Sequence, residues 1–260
     1  MLEIIDHPLK AGAALDSGCI RELRLARPPV NALNLELLRK LVEAMASSAQ
    51  ESALVVTGQP GIFSAGLDVR GMLELDRDAV GALFIDLWRA QRAIAYTPIP
   101  VIFGITGHCP AGGTVLAILG DYRVMALGDF RLGLNEVQVG LVPGAPIDGA
   151  FRRLVGGHAA QLLTRGALID PSTALRVGLV DELCEASQVT ARALEVAREF
   201  CALPREPMLR TRALARQDLL ELFGNPGHAA LKERAFATMG AELWFAPGTQ
   251  ERLHAMFTKR

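Results

Sequence analysis

Apolar runs and amphipathic stretches alternate through the first half of the chain. SALVVTG (52–58) and IPVIFGITG (99–107) are continuous apolar runs, a pattern typical of strands that are buried on both faces. A long segment with helical spacing lies between them, from about residue 78 to residue 96. Because the strands are separated by helices, the pattern predicts right-handed β-α-β crossovers and a mostly parallel sheet.

Other segments of the first half extend the same alternation. CIRELRLA (19–26) has the two-residue period of a strand, and DYRVMA (121–126) is a further candidate strand. NLELLRKLVEAMASSA (34–49) carries one apolar helical stripe, with Asn34 as a plausible N-cap. AGGTVLAILG (111–120) predicts another helix, which begins in glycine.

The pattern changes after residue 145, where most segments have helical spacing. Only GLVDEL (178–183) resembles a strand in this part of the chain. We therefore predict an α/β core over residues 1–200 and a helical region over residues 201–260.

Composition and charge narrow the class of protein. Half of the 260 residues are hydrophobic and 21% are charged, so the chain can bury a large core. Lys and Arg total 27 against 28 for Asp and Glu, which gives a formal net charge of −1. This balance does not favour a nucleic-acid or membrane partner.

Cysteines and apolar runs indicate the compartment. The chain has no C-x-x-C pattern, so we expect reduced thiols rather than disulfides or a zinc site. No apolar run reaches the roughly 18 residues of a membrane helix, and the N-terminus lacks a signal-peptide pattern. These features predict a cytoplasmic protein. The cysteines are Cys19, Cys109, Cys184 and Cys201.

Two glycine-rich passages lead from a predicted strand into a helix. One is GIFSAGLDVRGM (61–72), which by itself is more typical of an ordinary tight turn than of an anion-binding site. The other is GHCPAGGTVLAILG (107–120), where Gly112 and Gly113 open the helix. Parallel strands would bring both passages to one sheet edge, and unpaired N–H groups there could stabilise an oxyanion.

Glu136 is an isolated carboxylate within GLNEVQVGL (133–141), which otherwise resembles buried backbone and core. It could form a structural ion pair, with Arg123 or Arg131 as the candidate partner. Alternatively, an apolar setting would raise its pKa by desolvation and make it a general base and then acid near neutral pH. The sequence pattern leaves both interpretations open.

Other reactive side chains fit known catalytic patterns poorly. The chain has no P-loop and no well-placed dinucleotide-binding glycine motif. Ser64 does not lie in a nucleophile elbow, and His108 beside a turn is more often simply hydrogen-bonded than catalytic. No spacing of His, Asp and Glu indicates a metal site.

Several prominent side chains are expected to be structural. Asp121 precedes a strand and is expected to be a cap or a member of an ion pair. Large apolar residues at helical spacing are expected in the core or in subunit contacts rather than in a substrate pocket: Met72, Trp88 and Trp244. Four arginines are expected on a solvated helical face: Arg205, Arg210, Arg212 and Arg216.

The motifs together resemble the enoyl-CoA hydratase/isomerase (crotonase) superfamily. RPPVNAL, FSAGLDV, PAGGTVLA, DYRVMA and GLNEVQVGL occur in the order and spacing of that family, and the resemblance covers nearly the whole chain. It implies an α/β fold, a spiral of repeated ββα units with a C-terminal helical region used in trimer assembly. Such trimers often pair into hexamers.

The same resemblance implies roles for particular residues. The N–H groups of Leu67 and Gly112 would hold the thioester carbonyl of an acyl-CoA substrate. The segment 65–69 would contact the CoA moiety, and Asn135 would help to bind or orient the acyl group. Within that segment the substrate-binding candidates are Ala65, Gly66, Asp68 and Val69.

The acids separate the reactions within the superfamily. Hydratases carry two glutamates, but here Val115 occupies the first position and only Glu136 remains. The resemblance is closest to 3,2-trans-enoyl-CoA isomerases, which shift a double bond with one base and need no cofactor beyond the CoA of the substrate. Another acyl-CoA reaction (hydration, thioester hydrolysis or decarboxylation) or non-catalytic acyl-CoA binding is the alternative.

Overall fold

Two sheets form the centre of the molecule within residues 1–9, 18–224 and 226–258, the residues that this computed structural model describes. The main sheet has six strands in the order β1-β2-β3-β5-β7-β9, and the second has three in the order β4-β6-β8. The strands are β1 Leu2–Pro8, β2 Cys19–Leu25, β3 Ala53–Thr57, β4 Gly61–Ile62, β5 Val101–Ile105, β6 Gly107–Pro110, β7 Tyr122–Ala126, β8 Leu132–Gly133 and β9 Glu182–Cys184.

Helices cover both faces of the main sheet and make up most of the second half. They are α1 Leu35–Ser47, α2 Val69–Met72, α3 Arg77–Tyr96, α4 Gly112–Ala117, α5 Ala145–Val155, α6 Ala159–Arg165, α7 Pro171–Arg176, α8 Val189–Ala202, α9 Arg205–Ala215, α10 Gln217–Phe223, α11 Pro226–Trp244 and α12 Pro247–Thr258. A short 3₁₀ helix spans Glu136–Val139.

Successive units place one strand in each sheet. β3 lies in the main sheet and β4 in the second, and β5 with β6 and β7 with β8 repeat this pairing. Helices follow the first two pairs of strands: α2 and α3 come after β4, and α4 comes after β6. The predicted α/β spiral of ββα units is therefore confirmed, and helices are present at the C-terminal end.

The central strands form as their sequences predict. Every residue of β3 and β5 is buried, and both strands pair in parallel with their neighbours. One apolar layer joins α1 and α3 to the sheet, whereas α8 packs on the other face through Val189, Ala193 and Ala197. Asn34 caps α1 as expected, since its side chain accepts a hydrogen bond of 2.9 Å from the N–H of Leu37.

The structure differs from the sequence prediction at short strands. The apolar run 99–107 is not one strand, because the chain leaves the main sheet after Ile105 and enters the second sheet at Gly107. Only Glu182–Cys184 of the region around GLVDEL is a strand. The antiparallel strand Leu2–Pro8 was not predicted, since its side chains are mostly exposed and carry little apolar periodicity.

Buried ion pairs fasten the C-terminal helices to the sheet. Arg212 on α9 and Arg216, between α9 and α10, contact Asp121 at 2.8 and 2.9 Å. Arg216 also donates to the carbonyls of Ala95 and Leu119. Asp121 is thus an ion-pair member, as predicted, but the solvated-face interpretation was wrong for Arg212 and Arg216. That prediction failed because helical spacing does not reveal an acidic partner about 90 residues away.

No helix within the described residues is both long and apolar enough to cross a membrane.

Replacing Asp121 by Ala should lower the free energy of unfolding by about 3 kcal/mol, because two largely buried guanidinium groups would lose their counter-charge. Urea unfolding followed by circular dichroism measures this loss. Asp148→Ala is the matched control, since it removes an exposed pair with Arg152 and should cost at most about 0.5 kcal/mol. Equal losses in the two variants would contradict a fastening role for Asp121.

Candidate active site

A largely apolar cavity of about 250 Å³ lies between the glycine-rich passages and the C-terminal helices. Its wall brings together the sequence-predicted residues Leu67, Gly112, Asn135 and Glu136. The remaining lining includes side chains from α3, α11 and α12. Residues distant in sequence therefore meet at one place, which makes this cavity the candidate active site.

Two main-chain N–H groups at the cavity are free to bind a ligand atom. Leu33 forms a parallel bridge with Leu67: it donates to the carbonyl of Gly66 and accepts from the N–H of Asp68. The N–H of Leu67, between these two residues, therefore points away from Leu33. The N–H of Gly112 opens α4, where helical N–H groups have no intrahelical acceptor. Neither N–H donates a hydrogen bond to any residue that the structure describes.

Close approach of the two passages brings these N–H groups together. A Cβ atom built on Gly66 would lie 3.1 Å from the nitrogen of Gly112, and one built on Gly112 would lie 3.3 Å from the nitrogen of Leu67. Gly66 has φ of +85°, and Ala111 has φ of +47°, which is uncommon for a residue with a side chain. The positive φ of Ala111 marks a strained turn directly before Gly112.

Hydrogen bonds hold the first passage in place. The hydroxyl of Ser64 donates to the carbonyl of Asn31 at 2.8 Å and accepts from the N–H of Gly66 at 3.1 Å. Asn31 in turn donates from its side chain to the carbonyl of Phe63. Ser64 and Asn31 are fully buried, so Ser64 supports the turn rather than facing the cavity.

Glu136 begins the 3₁₀ helix that follows β8, and its side chain lines the cavity. The turn is anchored on two sides. The side chain of Gln138 donates to the carbonyl of Gly166, and the hydroxyl of Thr249 on α12 donates to the carbonyl of Gly140. The position of Glu136 therefore depends on contacts with the helical second half of the chain.

The carboxylate of Glu136 has no cationic partner among the described residues. Arg123 pairs with Asp181 at 2.7 Å and Arg131 with Asp129 at 2.8 Å, so the ion-pair interpretation of Glu136 was wrong. The residue is partly exposed as a whole, but its Oε2 atom is buried without a hydrogen-bond partner.

Burial raises the pKa of Glu136 to about 7. A hydrogen bond from the residue's own backbone N–H lowers the pKa, but its effect is smaller than that of burial. Desolvation penalises the charged form, since no cation in the described part of the chain compensates for the lost water. The carboxyl group can therefore gain or lose a proton near neutral pH, as a general base and acid requires. Asn135, its neighbour, also lines the cavity and has a buried Oδ1 without a partner.

The predicted CoA-contacting segment divides in the structure. Ala65 and Val69 line the cavity together with Leu67, whereas Gly66 lies at the contact with the second passage. Asp68 caps α2 by accepting from the N–H of Gly71, and it pairs with Arg27 at 2.6 Å. Contact of this segment with CoA remains a prediction.

Val115 on α4 faces the same cavity as Glu136 and is 3% exposed. The side chain is therefore apolar at the position where the family resemblance implies a glutamate in hydratases. Glu136 is the only carboxylate in the cavity lining that the structure describes.

The second half of the chain supplies a wall that the sequence did not assign to the site. Phe236, Gly240, Leu243 and Trp244 of α11 line the cavity. Trp244 is fully buried in the core, as expected, but it also faces the pocket, contrary to our interpretation. Its helical spacing gave no signal for this role, because the same pattern serves core and pocket alike.

The remaining reactive side chains do not form a nucleophilic site. His108 is exposed, and its Nδ1 accepts a hydrogen bond of 3.2 Å from the N–H of Arg131. Burial raises the pKa of the Cys109 thiol well above its usual range, which keeps the thiol protonated. Among the described residues, no three His, Cys, Asp or Glu side chains are grouped to hold a metal ion.

The ββα spiral, with one carboxylate and two free main-chain N–H groups in a cavity, defines a crotonase-type acyl-CoA enzyme. A family model for enoyl-CoA hydratase/isomerase matches residues 16–217. The chain belongs to this enoyl-CoA hydratase/isomerase family.

Relatives with two different activities resemble the chain. Mitochondrial enoyl-CoA delta isomerase 1 of Homo sapiens is 30% identical over 213 residues, covering 78% of this chain and 69% of the relative. The probable enoyl-CoA hydratase echA17 of Mycobacterium avium (strain 104) is 32% identical over 199 residues, with coverage of 74% and 76%. The crystal structure of human mitochondrial delta3-delta2-enoyl-CoA isomerase superposes with a TM-score of 0.86 at 25% identity, covering 98% of this chain and 97% of that one.

The raised pKa of Glu136 predicts a pH-dependent stability difference. Between about pH 4.5, the ordinary pKa, and about pH 7, the unfolded chain releases this proton before the folded chain does. The free energy of unfolding should therefore fall relative to that of Glu136→Gln as pH rises through this window, by on the order of 2 kcal/mol.

Urea unfolding at several pH values measures this difference. Glu43→Gln on the exposed face of α1 is the matched control, and its difference from the wild type should stay within about 0.5 kcal/mol. A constant difference between the wild type and Glu136→Gln across the window would show that the carboxyl group is not desolvated.

Proposed function

We propose that the protein is a 3,2-trans-enoyl-CoA isomerase that moves the double bond of 3-cis or 3-trans-enoyl-CoA to the 2-trans position, in fatty-acid β-oxidation. The observation that carries the proposal is a single carboxylate, Glu136, in an apolar cavity with the N–H groups of Leu67 and Gly112. The similarity to enoyl-CoA delta isomerase 1 supports it.

The reaction requires one proton to move between two carbons. The carboxylate of Glu136 removes a proton from C2 of the bound 3-enoyl thioester, and the electron pair delocalises onto the thioester oxygen. The N–H groups of Leu67 and Gly112 stabilise the resulting dienolate oxygen. The protonated Glu136 then returns the proton to C4, which leaves a double bond between C2 and C3 in conjugation with the carbonyl.

The expected rate contributions of these few groups are large enough for the proposed reaction. One oxyanion-hole donor contributes roughly 3–4 kcal/mol of transition-state stabilisation, and a positioned general base contributes a rate factor of about 10² to 10⁴. A pKa of about 7 lets Glu136 accept the proton and return it at neutral pH. Asn135, with its unpaired Oδ1, would bind or orient the acyl group.

Hydration is the principal alternative, since a probable hydratase is as similar in sequence as the isomerase relatives. Addition of water needs a second carboxylate to hold and activate the water, and Val115 cannot supply it. Thioester hydrolysis, decarboxylation and non-catalytic acyl-CoA binding remain less favoured alternatives. A spectrophotometric assay with crotonyl-CoA distinguishes hydration from isomerisation. Appreciable addition of water would contradict the isomerase assignment.

Further features follow from the same proposal. The protein would need no cofactor, since CoA enters as part of the substrate. We expect a homotrimer or a hexamer built from two trimers, in the cytoplasm.

Glu136→Gln should lower the turnover of 3-hexenoyl-CoA by about 10² to 10⁴, because an amide cannot accept the C2 proton. Absorbance of the conjugated product measures the rate. Binding of CoA esters should persist, since the cavity keeps its shape. The control Glu43→Gln makes the same chemical change on the surface of α1, and undiminished turnover in Glu136→Gln would refute the base assignment.

The pH profile gives an independent check. Only ionised Glu136 can remove a proton, so kcat/KM should fall about tenfold per pH unit below about pH 7 and level off above it. Initial rates at subsaturating 3-hexenoyl-CoA measure the profile. A profile that stays flat down to pH 5 would mean that Glu136 is not the titrating base.

A further inference from the structure

Gln91 is a polar side chain in the apolar wall of the cavity. It lies on α3 one turn after Leu87 and two turns after Phe84, and all three line the cavity. The residue is 1% exposed, so its amide is withdrawn from bulk water. Neither the mechanism proposed above nor the sequence motifs use it.

The amide of Gln91 has no hydrogen-bond partner among the described residues. Its Oε1 atom is buried and has no hydrogen-bond partner. Native interiors rarely leave such a group unsatisfied, because it gives up its bonds to water without replacement. An unpaired amide that lines a ligand cavity is therefore a candidate ligand-binding group.

An isolated water molecule would be a poor substitute partner. A buried water usually makes two to four hydrogen bonds. Besides Gln91 and the indole N–H of Trp244, the described lining offers only Asn135 and Glu136 as polar side chains, and the proposed reaction already uses both. Phe84 and Leu87 line the cavity from the same helix as Gln91, and this helix packs against α11.

We propose that Gln91 is a specificity-determining residue that selects acyl chains bearing a hydrogen-bonding oxygen, such as a hydroxyl or a carbonyl, over plain alkyl chains. The inference rests on the proposed function only in taking this cavity as the acyl-binding site. A carboxamide can present either its oxygen or its NH₂ group by turning over, so Gln91 can bond to a donor or to an acceptor.

The selectivity follows from the difference between the two bound states. A plain alkyl chain fills the cavity and leaves the amide of Gln91 unpaired. An oxygen placed beside the amide forms the missing bond, and sites built to bond a polar group discriminate strongly against analogues that lack it. We expect at least about tenfold tighter binding of the oxygenated ester.

Calorimetric titration with saturated acyl-CoA esters tests this selectivity without relying on turnover. Pairs that differ only in a terminal methyl or hydroxyl group, from hexanoyl to dodecanoyl, place the oxygen at successive depths. One hydroxylated ester of the series should bind the wild type at least about tenfold more tightly than its methyl partner. Gln91→Leu should lose or reverse this preference, whereas Leu87→Met should shift both partners in parallel.

A stability measurement separates ligand selection from a structural role. If the amide is unpaired in the free protein, Gln91→Leu should unfold at the same temperature as the wild type or higher, because it removes a buried polar group. A lower unfolding temperature would assign Gln91 a structural hydrogen bond and overturn the proposal. Gln91→Met repeats the test with an unbranched side chain of similar length.

The outcomes distinguish this inference from the isomerase assignment. Binding of both partners without discrimination at any chain length, or discrimination that survives in Gln91→Leu, would overturn the role of Gln91 alone. Selective binding without turnover of any 3-enoyl-CoA would overturn the isomerase and leave Gln91 assigned. Failure of the wild type to bind any of the esters would overturn both.

Discussion

Burying the carboxylate of Glu136 beside an apolar cavity, with no cationic partner among the described residues, is the constraint on which the site depends. The lost hydration disfavours the charged form and raises the pKa to about 7. An arginine at this point would restore the charge balance and hold the proton off the carboxyl group. The two arginines that the sequence offered as partners are paired elsewhere, Arg123 with Asp181 and Arg131 with Asp129. The same desolvation that costs stability gives the group its capacity to exchange protons at neutral pH.

The helical second half of the chain maintains this desolvated setting. Its helices α11 and α12 form one wall of the cavity, and Thr249 on α12 holds the turn that carries Glu136. These helices follow α9 and α10, which Asp121 fastens to the sheet through Arg212 and Arg216. Asp121 thus anchors the beginning of the C-terminal helical region, and α11 itself packs directly on α3.

The sequence predicted features that depend on neighbouring residues, but it did not predict contacts between residues that are far apart in the chain. The two glycine-rich passages could be predicted to meet, because parallel strands bring the turns that follow them to one edge of the sheet. The choice of Leu67 and Gly112 within them came from the family resemblance. Glu136 stood out because a carboxylate interrupts an apolar segment. The Asp121–Arg216 pair spans 95 residues, and no pattern along the chain encodes such a pairing. Gln91 could not be predicted for a related reason, because one polar residue on a long amphipathic helix is expected on the solvated face of that helix.

Sequence identity alone does not choose between double-bond transposition and hydration, since relatives of both kinds are about 30% identical to this chain. The physical difference lies in what each reaction must hold. Hydration must bind and activate a water molecule, which requires two carboxylates in reach of it. A proton shuttle requires only one base and a place for the developing negative charge. With valine at position 115, buried against the cavity, the described lining offers one carboxylate and not two. The chemistry is therefore better inferred from the missing carboxylate than from overall similarity.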